Sequence, residues 1–206
     1  MASYILIVEG PAGSGKSTII NTLKNDLGCA AIQRSLPVRN PGAVDAALTS
    51  WRLDLIKVQD AIVAPEQVAL VDRCMLSQWV YGNIRAGHRR PKPSASSVWM
   101  DYRDMLHHTQ VDLENRLQMA GLEAPAPPQF GFLILLPPLP RLISQRERAG
   151  RDFSFDPEKE LEFYGEAARV LKPSGNLTFV KEWAHEHSGP LATEVLKWQK
   201  RHIDRS

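Results

Sequence analysis

A glycine-rich stretch, Gly10 to Thr18, most constrains how this sequence can fold. It reads Gly-Pro-Ala-Gly-Ser-Gly-Lys-Ser-Thr and fits the phosphate-loop pattern Gly-x-x-x-x-Gly-Lys-Ser without a mismatch. A short apolar run at 4–8 precedes it, and apolar residues at helical spacing follow it as far as Gly28, a typical C-terminal cap. Strand, glycine loop and helix are the context that this pattern requires, so we expect an α/β nucleotide-binding unit.

The residue types of this loop suit the binding of nucleotide phosphates. Glycines let the backbone turn tightly and approach an anion without a Cβ in the way. Successive N–H groups and the dipole of the new helix then point at one phosphate. We expect the Lys16 ammonium to bridge two phosphates of ATP and the Ser17 hydroxyl to ligate Mg²⁺. The predicted ATP-binding residues are Gly10, Gly13, Ser14, Gly15, Lys16, Ser17 and Thr18.

Length and composition favour a single soluble domain. The 206 residues suffice for one α/β core, so 1–206 is assigned to one domain. The net charge of +2 argues against nucleic acid as a partner. The cysteine count of two suggests a reducing compartment, and no apolar run approaches membrane-spanning length, so we expect a cytoplasmic protein without a membrane anchor. The oligomeric state stays open, a homodimer being one option.

Short apolar runs alternate with helical patterns along the chain. They lie at 4–8, 30–33, 68–71, 132–136 and 177–180. This alternation predicts a parallel sheet with helices on both faces. Ligands of such sheets bind at the carboxyl ends of the strands. We therefore expect the phosphate loop, Arg39 after the second strand and Asp72-Arg73 after the third to lie near one another.

Asp72 and Arg73 end a strand that is otherwise apolar. A carboxylate there could hold Mg²⁺ directly or through water, and the adjacent guanidinium could grip a second phosphate with two parallel hydrogen bonds. We predict a catalytic role for both residues. A simple ion pair that caps the strand is the alternative.

Arginines also flank the Ala149-Gly150 pair, which we interpret as a hinge. Catalysis of phosphoryl transfer is mainly positioning and neutralisation of charge on the phosphoryl oxygens. A lid over about 141–157 would supply arginines for this purpose and exclude water. The predicted catalytic arginines of the lid are Arg146, Arg148 and Arg151. Ordinary surface charges on an exposed helix are the alternative.

Trp51 and Arg52 lie on the predicted helix before the third strand. An aromatic ring beside a guanidinium could stack on a nucleobase and hydrogen-bond to it. Trp51 also belongs to the apolar face of that helix, so packing in the core is the alternative for its side chain.

Several segments together resemble thymidylate kinase. Its loop Glu-Gly-x-Asp-Gly-x-Gly-Lys-Ser-Thr is closely matched by 9–18, and its Arg-Glu-Pro-Gly loop is echoed by 39–42. Its run Asp-Arg-x-x-x-Ser-x-x-x-Tyr is matched by Asp72, Arg73, Ser77 and Tyr81, and its lid region resembles 132–171. The resemblance implies a three-layer P-loop kinase fold with a five-stranded parallel sheet in the order 2-3-1-4-5 and an arginine-bearing lid.

The resemblance also implies roles for single residues. Lys16 and Ser17 would handle ATP and Mg²⁺, and Arg39 and Arg73 would hold the acceptor phosphate. Tyr81 would lie near the acceptor sugar and disfavour a ribose 2′-hydroxyl. The lid arginines would act as they do in relatives whose phosphate loop lacks an arginine.

Departures from the family pattern cluster on the acceptor side. Ala12 stands where the family has an aspartate that contacts the sugar 3′-hydroxyl, and Asn40 replaces the glutamate of Arg-Glu-Pro-Gly. The base-contacting arginine has no clean match, Trp51 being nearest and Arg52 one residue off. Pro137 sits where the family often has an acidic residue. We expect dTMP or a related deoxynucleotide as the acceptor, and these departures point to an unusual deoxynucleotide or to an acceptor other than dTMP.

A kinase that transfers the γ-phosphoryl group of ATP to a deoxynucleoside monophosphate fits these residues best. Such an acceptor is already ionised and needs no general base. A deoxynucleoside kinase is the nearest alternative, but a neutral hydroxyl needs a carboxylate base, and 34–39 offers none. A kinase acting on a modified base or nucleic acid through the basic loop 85–92, and a regulatory P-loop ATPase, are further alternatives.

Overall fold

The computed structural model describes residues 4–32, 53–54, 56–64, 68–86, 95–123, 129–150, 155–171, 178–181 and 193–197. The strands are β1 (Tyr4–Glu9), β2 (Ala30–Ile32), β3 (Val68–Asp72), β4 (Gln129–Leu135) and β5 (Thr178–Lys181). The helices are α1 (Lys16–Leu27), α2 (described at 53–54 and 56–62), α3 (Met75–Ala86), α4 (Ala95–Met119), α5 (Leu139–Arg148) and α6 (Pro157–Leu171). Residues 193–197 are also helical.

All pairings in the sheet are parallel. β1 lies between β3 and β4, β2 pairs with β3, and β5 pairs with β4. The predicted parallel α/β architecture is confirmed, and the order β2-β3-β1-β4 is the expected one. Val8 is in register with Asp72. The end of β1, which leads into the phosphate loop, therefore lies beside the Asp72-Arg73 end of β3.

Side chains of β1 alternate between two apolar layers of the core. Ile5 and Ile7 belong to the layer that contains residues of α2, α3 and α6. Leu6 and Val8 belong to the layer that contains residues of α1. A strand covered on both faces has no polar face, which explains the unbroken apolar run at 4–8.

Among the described helices, none combines the length and the hydrophobicity of a membrane-spanning segment.

Local sequence signals mark one end of each of two helices. Gly28 follows α1 with a left-handed φ of 59°, as expected for a glycine cap. Before α6, the Asp156 carboxylate accepts the Glu158 N–H at 3.0 Å, a typical N-cap contact. The sequence also predicts a last helix over 190–203, of which the described residues include only 193–197. Of the predicted lid, 151–154 lie outside the described residues, and the lid stays a prediction.

Candidate active site

The phosphate loop joins β1 to α1 and contains glycines with positive φ. At Gly10 (φ 144°) an added Cβ would lie 2.6 Å from the Leu135 carbonyl oxygen. At Gly13 (φ 84°) it would lie 3.0 Å from the Arg146 Cγ. Both the backbone conformation and the close neighbours therefore require glycine at these two positions.

The Lys16 side chain is buried inside the loop. Its Nζ donates hydrogen bonds to the Gly10 oxygen at 2.7 Å, the Pro11 oxygen at 2.6 Å and the Ser14 Oγ at 3.3 Å. Burial, followed by the positive charge of Arg73, lowers the pKa of Lys16 well below its usual range. A bound phosphate would favour the charged ammonium, because an opposite charge nearby stabilises the ionised form.

One cavity of about 260 Å³ connects the loop to the end of β3. It brings together four residues that the sequence singled out separately, Lys16, Ser17, Asp72 and Arg73. Its full lining is Gly13, Gly15, Lys16, Ser17, Thr18, Asp72, Arg73, Gln145 and Ala149.

Oxygen atoms of this cavity fit a magnesium ion. The Asp72 Oδ1 is buried and has no hydrogen-bond partner among the described residues. Ser17 is exposed and lines the same cavity. Mg²⁺ is commonly held by one or two protein oxygens together with substrate phosphates and water. Asp72 and Ser17 are thus suitable ligands for Mg²⁺ that enters with a nucleotide.

The backbone at Arg73 adopts a left-handed conformation, with φ 61°. Lys57 of α2, only 4% exposed, donates to the carbonyl oxygens of Asp72 at 2.8 Å and Arg73 at 3.0 Å. The Arg73 N–H donates to the Val8 oxygen at 3.1 Å. Asp54 lies 3.8 Å from the Lys57 Nζ, and burial raises the pKa of Asp54 to about 7. Contacts with α2 and β1 thus hold a strained turn at the cavity edge.

The Arg73 guanidinium is directed toward α3. Its Nη1 donates to the Tyr81 hydroxyl at 2.9 Å and to the Ser77 Oγ at 3.4 Å. The same group lies 5.5 Å from the centre of the Tyr81 ring. Within the described structure its hydrogen bonds use Nη1, which leaves Nε and Nη2 for an anion in the cavity.

Glu9, the last residue of β1, is fully buried and caps the start of α3. Its Oε1 accepts the N–H groups of Cys74 at 2.7 Å and Ser77 at 3.3 Å, and its Oε2 accepts the Ser77 hydroxyl at 2.6 Å. A carboxylate at a helix N-terminus is favourable. Burial and the Glu9 charge raise the pKa of the Cys74 thiol well above its usual range. Glu9 therefore fixes α3 against β1.

A buried ion pair contacts the phosphate loop from the other side. The Arg146 Nη2 lies 2.6 Å from the Glu160 Oε1, and the two residues are 2% and 0% exposed. The Arg146 Nε donates to the Ala12 oxygen at 2.7 Å, and its Nη1 donates to the Phe155 oxygen at 3.0 Å. The Glu160 Oε2 accepts the Ala12 N–H at 2.8 Å and the Tyr81 hydroxyl at 3.1 Å. Arg146, expected in a lid over the substrate, here donates to protein oxygens through all three nitrogens.

The remaining predicted site residues divide into two groups. Arg148 is the exposed last residue of α5, and Tyr81 is half-buried between Arg73 and Glu160. Arg39, Trp51, Arg52 and Arg151 lie outside the described residues.

Sequence reasoning missed Lys57, Asp54, Glu160 and Gln145 as site residues. Glu160 stands on the buried face of α6, which also carries Phe163, Tyr164, Ala167 and Leu171. A lone carboxylate on an apolar helix face was an available signal, because charged residues are rarely buried without a partner. Lys57 offered a similar signal, because it is a charged residue next to apolar residues of α2 that are buried.

Comparison with known proteins relates the chain to solved structures. No protein-family model and no curated protein matches it. The Bacillus subtilis YorR protein in complex with phosphorylated GDP is 17% identical, with a TM-score of 0.52 over 97% of this chain and 98% of that one. Deoxyadenosine kinase from M. mycoides with bound dCTP is 15% identical, with a TM-score of 0.50 over 94% of this chain and 98% of that one. Shikimate kinase from Acinetobacter baumannii in complex with shikimate is 11% identical, with a TM-score of 0.53 over 98% of this chain and 95% of that one.

At such low identity these likenesses establish the fold alone. The chain has the α/β fold that two small-molecule kinases also adopt. The particular resemblance to thymidylate kinase stays a prediction.

Proposed function

We propose that this protein transfers the γ-phosphoryl group of ATP to a deoxynucleoside monophosphate, either dTMP or a related deoxynucleotide. The single observation that carries the proposal is the shared cavity, in which the phosphate loop meets Asp72 and Arg73. The phosphates of a donor nucleotide need the phosphate loop. An anionic acceptor needs a cation opposite the loop, and Arg73 is that cation.

Each cavity residue has a role in this proposal. The loop N–H groups and Lys16 would bind and orient the ATP phosphates, and Ser17 and Asp72 would hold Mg²⁺. When bound, Mg²⁺ would neutralise charge on the phosphoryl oxygens. The free donors of Arg73 would hold the acceptor phosphate in line with the donor. Positioning and charge neutralisation are the main demands of phosphoryl transfer, and these residues meet both.

The other predicted residues complete the proposal. Arg39 would assist Arg73 on the acceptor phosphate, and Trp51 and Arg52 would contact the base. Arg148 and Arg151 would act from the lid at about 141–157. A cytoplasmic location and a homodimer also stay predictions.

A deoxynucleoside kinase is the second candidate, favoured by one specific feature. Asp72 lines the cavity, and its Oδ1, which has no hydrogen-bond partner among the described residues, could accept a proton from a neutral hydroxyl. The likeness in fold to a deoxyadenosine kinase is compatible with this alternative. It would leave the free Arg73 donors without an acceptor phosphate, so we rank it second.

A screen of acceptors separates the candidates. ADP release is measured with Mg·ATP and each ribonucleoside, deoxyribonucleoside and corresponding monophosphate in turn, with Lys16→Ala as the inactive reference. We expect ADP release that depends on a deoxynucleoside monophosphate. Turnover with nucleosides alone would select the second candidate. Equal turnover without any acceptor would indicate an ATPase and contradict both.

A further inference from the structure

The Glu160 carboxylate joins four parts of the molecule. It belongs to α6 and accepts hydrogen bonds from Ala12 in the phosphate loop, Arg146 in α5 and Tyr81 in α3. Its side chain is fully buried. Every one of these partners is a donor, so an ionised carboxylate satisfies the whole arrangement.

The ion pair holds the loop backbone on both sides of residue 12. Glu160 accepts the Ala12 N–H at 2.8 Å, and the Arg146 Nε donates to the Ala12 oxygen at 2.7 Å. The next residue, Gly13, lies so close to Arg146 that a Cβ would approach the Arg146 Cγ to 3.0 Å. A phosphate loop binds its ligand through the directions of its N–H groups. The orientation of the peptides around residue 12 therefore depends on this pair.

The same carboxylate is linked to the acceptor side. The Tyr81 hydroxyl donates to Glu160 at 3.1 Å and accepts from the Arg73 Nη1 at 2.9 Å. Three hydrogen bonds thus connect Arg73, Tyr81, Glu160 and Ala12 in a continuous series.

We infer that Glu160 is a positioning residue that orients the phosphate loop for nucleotide binding and sets it relative to Arg73. This inference rests on the proposed binding of nucleotide at the loop. A purely stabilising role is a poor explanation, because the desolvation penalty of a buried ion pair offsets much of its attraction. A role in orienting the loop peptides explains why the pair binds both the N–H and the carbonyl oxygen of Ala12.

Glu160→Gln tests the inference with nearly constant shape. The amide NH₂ would face a donor in either orientation, so either the Arg146 Nη2, which belongs to the group that holds the Ala12 oxygen, or the Ala12 N–H itself loses its acceptor. We expect Mg·ADP affinity, measured by titration calorimetry, to fall about tenfold, equivalent to about 1.4 kcal/mol. Glu162→Gln, an exposed position on the same helix, is the matched control and should bind Mg·ADP normally. A merely structural role would lower the melting temperature but leave affinity unchanged.

The double variant Arg146→Met/Glu160→Met covers the case in which Glu160→Gln does not fold. Replacing a buried pair with apolar residues of similar volume often preserves stability. We expect a stable protein that binds Mg·ADP at least tenfold more weakly. Normal binding by either folded variant would overturn the inference, and so would a double variant that does not fold, since the pair would then serve the fold.

The same titrations, together with the acceptor screen, separate this inference from the proposed function. A natural chain that binds Mg·ADP but phosphorylates no acceptor would overturn the proposed transfer alone. A natural chain that does not bind Mg·ADP would overturn both.

Discussion

Asp54→Asn should change how stability depends on pH, because Asp54 is buried next to Lys57. Burial raises the pKa of Asp54 from 3.8 to about 7, with the Glu9 charge adding to the rise. Lys57, 3.8 Å away, and a hydrogen bond from Gln78 oppose it. Between these two pKa values the folded state binds more protons at this site than the unfolded state does. The free energy of unfolding therefore falls as pH rises through this range.

The magnitude follows from the size of the shift. One pKa unit corresponds to about 1.4 kcal/mol, so complete ionisation of Asp54 lowers stability by about 4 kcal/mol relative to a neutral side chain. About 3 kcal/mol of this change falls between pH 5 and pH 8. Asparagine cannot ionise and keeps an oxygen for the Gln78 amide. The free energy of unfolding of Asp54→Asn relative to the natural chain should therefore grow by about 3 kcal/mol from pH 5 to pH 8.

Urea unfolding of both proteins at several values between pH 5 and pH 8, at fixed ionic strength, measures this difference. Asp112→Asn is the control, because its carboxylate is 51% exposed in a surface pair with Arg116. A surface ion pair contributes little to stability. The difference in the free energy of unfolding between Asp112→Asn and the natural chain should therefore stay constant with pH. A difference between Asp54→Asn and the natural chain that does not grow with pH would refute the assigned effect of burial.

Three further substitutions test the site, and a fourth, Gly82→Ala, serves as a control. Lys16→Ala should abolish phosphoryl transfer while leaving the circular dichroism spectrum unchanged; an active variant would contradict the assignment of the loop. Gly13→Ala should weaken Mg·ADP binding and lower stability by about 1–2 kcal/mol, because φ is 84° and Arg146 is close. Gly82→Ala, in a helix with open space around it, should instead raise stability by up to about 1 kcal/mol in urea unfolding. Lys57→Met should lower kcat at least tenfold, since it removes both hydrogen bonds from α2 to the turn at Arg73; an unchanged kcat would show that the turn keeps its conformation without α2.

The strand, phosphate loop and helix at the start of the chain could be predicted because their signals are local. Residues 4–28 contain a strand, a loop and a helix in direct succession, and each has its own periodicity or glycine signature. The approach of Asp72 to the loop follows from a general property of parallel sheets, whose strands end at one edge.

The Glu160 contacts could not be predicted, because they depend on packing between distant parts of the chain. Ala12 and Glu160 are 148 positions apart, and no periodicity records their contact. The sequence predicts Arg146 as a catalytic arginine of a lid, because neighbouring arginines flank Ala149-Gly150. Only the packing of α5 against the loop brings its guanidinium to the Ala12 oxygen.

The burial of both cysteines makes this chain convenient for site-specific labelling. Cys29 and Cys74 are each 4% exposed, and the raised pKa of Cys74 keeps its thiol in the unreactive form. A maleimide dye should therefore react slowly with the natural protein at neutral pH. A cysteine introduced at exposed Glu147 would then be the main point of attachment. Fluorescence from that position would report movement of α5 during nucleotide binding against little background.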